Sequence, residues 1–79
     1  MVEQIFIKLL NEGVDVWRPV PGYRVDSNTY IVLRSEHYDP EAETWEFPPG
    51  SVVVCENHAS SDGEIFAAVR HRELDKRTA

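Results

Sequence analysis

The chain has 79 residues, room for one domain, and 42% of them are hydrophobic, which excludes the disordered composition class. No apolar run reaches the roughly 20 residues of a membrane-spanning helix. The formal charge of −6 opposes binding to a bare phosphate backbone.

The charge is unevenly spread. Residues 70–77 carry Arg70, Arg72, Lys76 and Arg77 against Glu73 and Asp75, a net of +2, which leaves −8 on residues 1–69. An acidic body of this kind steers basic protein partners. No basic stretch followed by a long apolar run opens the chain, so a secretory signal is not indicated. The single cysteine, Cys55, cannot form an internal disulfide, and small secreted domains usually carry several. Together these features predict a cytoplasmic location.

In chain order, residues 2–10 (VEQIFIKLL) place Ile5, Ile7 and Leu9 on one face and predict a strand. Asn11-Glu12-Gly13 follows as a turn. Residues 14–20 (VDVWRPV) alternate again, with Val14, Val16 and Val20 on one side and Asp15 and Trp17 on the other. Pro19 marks an edge or a strand end, Pro21-Gly22 a second turn, and Tyr23–Val25 a resumption. Asp26-Ser27-Asn28 is a turn cluster, and Thr29–Arg34 (TYIVLR) has the clearest strand composition. Residues 35–46 hold five carboxylates and no Lys or Arg, a surface loop in which Asp39-Pro40 can cap a short helical turn over 39–46. Ser51–Glu56 (SVVVCE) reads as a strand buried on both faces, and residues 57–63 (NHASSDG) as a loop. Gly63–Arg70 is a last strand with Ile65, Ala67 and Val69 inward, with a helix as the rival reading. The domain spans 1–71, and 72–79 is a charged tail expected to fray.

Four or five short strands in so small a chain must deal with their exposed edges, and closing into a barrel does so. The fold class is mainly β: a small, partly open barrel of about five strands. Its layout across residues 3–71 resembles an SH3-like barrel. The ALYDY-type string of signalling SH3 domains is absent, with IFIKLL in its place, so proline-rich peptide binding is not expected. The stretches LLNEGVDVWRPV (9–20) and WEFPPGSVVVCE (45–56) are similar to those of a group of short uncharacterised bacterial proteins. That resemblance implies a self-contained bacterial domain and no particular activity.

Three chemistries could draw on the residues present. Cys55 and His58 have a Cys-x2-His spacing, but a structural zinc site needs four ligands and only His37 and His71 remain. Cys55 lies in an apolar run, where burial keeps a thiol protonated and inert. Glu41, Glu43 and Glu46 sit on a polar loop, where solvent leaves a carboxylate no reason to act as an acid at neutral pH. No catalytic residue, metal or cofactor is therefore assigned, and a metal- or thiol-dependent enzyme is the rival to a binding role.

The residues left over suggest contact with another protein. An aromatic and acidic face of Asp15, Trp17, Tyr38, Glu43, Trp45 and Phe47 is the expected binding surface, since exposed tryptophan is typical of interface hot spots. The expected partner is a protein, a basic one by charge complementarity, or a second copy joined through an open strand edge. An inhibitor or immunity protein against a basic enzyme is one form of this reading. Nucleic-acid binding through the basic tail is another rival.

Overall fold

The computed structural model describes residues 1–36, 38–61 and 63–72. Six strands follow one another: β1 Val2–Leu10, β2 Val16–Arg24, β3 Thr29–Val32, β4 Thr44–Trp45, β5 Val52–Ser60 and β6 Gly63–His71. There is no helix among the described residues, so none is long and apolar enough to cross a membrane. The sheet runs β2-β3-β5-β6-β1-β4, and β1 also pairs with β2, which closes β1, β2, β3, β5 and β6 into a five-strand barrel. The predicted small SH3-like barrel is present, with β4 as one extra strand.

Closure has a geometric signature. In a five-stranded antiparallel meander the first and last strands point the same way, so the closing pair must be parallel. β6 and β1 are parallel and share a single register pair, Phe6 with Ala67. The remaining ladders are antiparallel and longer, above all β1 with β2 and β5 with β6.

The period-two pattern of β1 works as expected: Ile5, Ile7 and Leu9 are buried. They join Val20, Tyr30, Val32, Trp45, Phe47, Val53, Cys55 and Ala68 in one core, with Val16, Tyr38 and Phe66 packed against it. The turn after β1 also forms as expected, with Asn11 and Gly13 both at positive φ.

Several expectations are corrected. β2 is one continuous strand that starts at Val16, leaving Val14 exposed, and both prolines lie inside it. The reason is the direction in which their nitrogens point. The Arg24 N–H reaches Met1 on the β1 side, whereas the Pro21 carbonyl accepts from Leu33 on the other. Backbone groups alternate along a strand, so Pro19 and Pro21 both direct their missing N–H away from β1, and the β1–β2 ladder loses nothing. Gly22 makes no turn. It is buried, and a Cβ there would lie 2.8 Å from Ile5 Cδ1, so its role is close packing.

β5 continues to Ser60 where a loop was expected, and pairs with β6 as a long hairpin. The last segment is a strand, but its facing is shifted by one residue. A register irregularity beside Val54 and Cys55 puts Ala68 opposite Cys55 and Arg70 opposite Val54. Phe66 and Ala68 therefore point into the core in place of Ile65 and Val69, while Ala67 is also buried. The capped turn in the acidic loop forms once: Asp39 Oδ1 accepts from Glu41 N–H, and the Asp39 carbonyl accepts from Ala42 and Glu43.

Candidate functional site

The six candidate residues separate into two groups, and burial does the sorting. β4 pairs Trp45 with Leu9 and Thr44 with Leu10, and the Glu46 N–H donates to the Lys8 carbonyl. That short ladder pins the end of the acidic loop to β1. It turns Trp45 and Phe47 inward to 5% and 4% exposure. As a correction to the predicted face, these two side chains are buried in the core and not displayed on the surface. Tyr38 packs edge-on against Trp45, with centroids 4.6 Å apart, and Arg34 lies over its ring at 5.8 Å.

Glu43 anchors this first group. Its carboxylate accepts from Trp45 Nε1 at 3.0 Å and from Arg18 through Nε at 3.3 Å and through Nη2. The Arg18 hydrogen bonds, then that of Trp45, hold the Glu43 carboxyl below its ordinary range, against an opposing effect of burial. The arrangement is a clasp: it ties the 35–43 loop to β2. A shallow cleft of about 310 Å³ remains there, lined by Arg18, Pro19, Ser35, Glu43 and Trp45.

Trp17 and Asp15 form the second group. Register pairs β1 and β2 as Lys8 with Trp17 and Phe6 with Pro19, so these side chains share the outer face of the barrel. Trp17 is half-buried and lies against His58 of the β5–β6 hairpin, with centroids 4.8 Å apart at 48°. Beside it, Phe6, Val16, Ile65, Asp15, Ser60 and Ser61 line a cleft of about 420 Å³. Asp15 is exposed at its rim and pairs with Lys8 at 3.5 Å.

Sequence reasoning missed Phe6, His58 and Ile65 as companions of Trp17. His58 was assigned to a loop because Ser, Asn, Asp and Gly surround it, and that composition hid the continuation of β5. The β1–β2 register, readable once the turn at Asn11–Gly13 is accepted, was the signal that could have found Phe6.

The residues weighed for chemistry are kept apart. Burial pushes the Cys55 thiol up to about 12. His58 is three positions along the same strand and so faces the opposite side. His71 packs edge-on against Phe47 at 4.8 Å. His37 lies outside the described residues, as do the tail cations Lys76 and Arg77. Among the described residues, no three His, Cys, Asp or Glu side chains converge on a point. The described basic residues near the chain end have local partners: Arg70 pairs with Glu56 at 3.2 Å, and Arg72 donates to Thr29 Oγ1 at 2.9 Å.

Comparison with protein-family models, with curated proteins and with solved structures gives no match.

Proposed function

We infer that this chain is a non-enzymatic protein-interaction module whose contact surface centres on Trp17. The observation that carries this reading is the cleft of about 420 Å³ beside Trp17, where apolar Phe6, Val16 and Ile65 meet an exposed carboxylate, Asp15. A partly buried tryptophan in an apolar recess with a charged rim is the usual make-up of an interface hot spot. Acidity outside the cleft favours a basic partner segment: the apolar part of such a segment fills the recess, and its cation competes with Lys8 for Asp15. The Glu43 clasp takes a supporting part by holding the loop and β2 in place.

The test is capture of a partner from native lysate by the full chain, with Trp17→Ala and Asp15→Asn beside the wild type. Trp17→Ala should abolish retention and Asp15→Asn should weaken it and reduce its salt sensitivity, with circular dichroism unchanged in both. Retention unaffected by Trp17→Ala would refute the assignment.

A further inference from the structure

The β5–β6 hairpin runs on past the strand that flanks β5. β3 pairs with β5 only at Val52, Val53 and Val54. The last backbone contact on that side is the Cys55 N–H, which donates to the Asn28 carbonyl at 2.8 Å. Backbone groups alternate along a strand, so Asn57 and Ala59 point their N–H and C=O groups to the same side as Cys55, while Glu56, His58 and Ser60 point theirs to β6. Among the described residues, no strand lies beside Asn57 and Ala59 on that side. Both residues are exposed. Glu56–Ser60 is therefore an open strand edge about 17 Å long.

The other edges are guarded. β2 has no N–H to offer at Pro19 and Pro21. β4 is two residues long, and Pro48 and Pro49 follow it closely. The β6 edge of the hairpin is taken up by β1 at Ala67, with the charged Glu64 ahead of that contact. Glu56–Ser60 has neither proline nor lysine, and its one carboxylate, Glu56, is paired with Arg70 at 3.2 Å. A row of unpaired N–H and C=O groups without such a guard is a template for another strand.

We propose that this edge receives an extended segment of a partner protein as an added strand. The proposal rests on the protein-interaction reading above and names how that partner is held. Spacing selects the occupant. The outward groups of Asn57 and Ala59 repeat every two residues, about 6.8 Å, and an extended main chain presents matching groups at that repeat. A helix spends its backbone groups on itself, and a polyproline segment repeats every three residues. A second copy would bring a further −6 to so short a contact. In strand addition the main chain supplies affinity and alternate side chains supply specificity. His58 lies against Trp17, so a side chain set opposite His58 shares the face of that contact. An apolar residue suits that position, beside the recess lined by Phe6, Trp17 and Ile65. Proline is excluded wherever the segment's N–H meets Asn57 or Ala59.

The test pans a phage-displayed library of peptides of about ten residues on the full chain, then methylates the main-chain nitrogens of a selected peptide one at a time. Methyl groups on alternate residues should each weaken binding at least about tenfold, and those between them should leave it within about threefold. In the free chain the Asn57 and Ala59 amides should exchange freely and the His58 amide slowly; bound peptide should slow the first two. Ala59→Pro removes an outward N–H without touching the β5–β6 ladder, and should abolish peptide binding with the circular dichroism unchanged. Failure to select any peptide, protection of Asn57 and Ala59 in the free chain, or methylation effects without a period of two would overturn the proposal. Trp17-dependent binding that lacks this period would remove the added strand and leave the Trp17 module standing, whereas capture from lysate indifferent to Trp17→Ala would remove the module itself.

Discussion

Replacing Gly22 by alanine tests the packing of the barrel most directly. The new methyl would meet Ile5 Cδ1 at 2.8 Å, Ile5 Cγ1 at 3.1 Å and Tyr30 Cδ2 at 3.3 Å. Ordinary carbon contacts are about 3.5–4.0 Å, so the Ile5 δ-methyl must retreat by roughly 0.7 Å or more. Ile5 is fully buried and Tyr30 nearly so, which leaves little room to retreat. Overpacking of this kind costs about 1–3 kcal/mol. Alanine also restricts the unfolded chain, which returns about 0.4–1 kcal/mol. The net expectation is a loss of about 1–2 kcal/mol, or a melting temperature lower by about 5–15 °C for a domain of this size. Urea unfolding of wild type, Gly22→Ala, Ile5→Val and the double variant completes the cycle. Ile5→Val removes Cδ1 and alone costs about 0.5–1.5 kcal/mol. In the Gly22→Ala background it should cost at least about 0.5 kcal/mol less, because it relieves the closest contact. Strict additivity, or a Gly22→Ala variant as stable as the wild type, would show that the glycine is not required by packing.

Two further outcomes follow from the electrostatics. Glu43 has a folded-state pKa lowered by Arg18 and Trp45, so its contribution is fully present above the ordinary glutamate value of about 4.3 and is lost as pH falls through the folded value. Glu43→Gln should therefore cost about 0.5–1.5 kcal/mol at neutral pH, modest because Arg18 is largely in solvent, and the difference from wild type should vanish in acid. A stability gap independent of pH, read from thermal melts across the acid range, would show that the charge does not matter. Cys55, with its thiol pushed up to about 12 and its side chain in the core, should react with iodoacetamide in the native state at least about a thousandfold more slowly than a free thiol. Denaturant should restore the rate; fast native labelling would return a thiol mechanism to consideration.

Much of the architecture was legible because it is local. Alternation in VEQIFIKLL, β-branched density in TYIVLR and SVVVCE, and the Asn11–Gly13 and Asp26–Asn28 turns each encode a strand or a reversal within a few residues. The candidate site was less legible because its members are distant in sequence. The clasp joins Arg18 to Glu43, a carboxylate 25 positions away. A polar context made Trp45 and Phe47 look like surface aromatics, although two pairs with β1 bury them.

By itself, the sequence determined a small acidic β domain, the positions of most strands, the inward face of β1 and the unreactive setting of Cys55. These depend on alternation, turn chemistry and charge count, which act over short distances. Only the tertiary structure decided that both prolines fit within β2, that an irregularity in β5–β6 pairing shifts the inward face of β6 to Phe66 and Ala68, and which aromatics reach the surface. Each of those outcomes turns on which backbone edge or side-chain face meets a neighbour. In a closed barrel, that neighbour is supplied by a strand far along the chain.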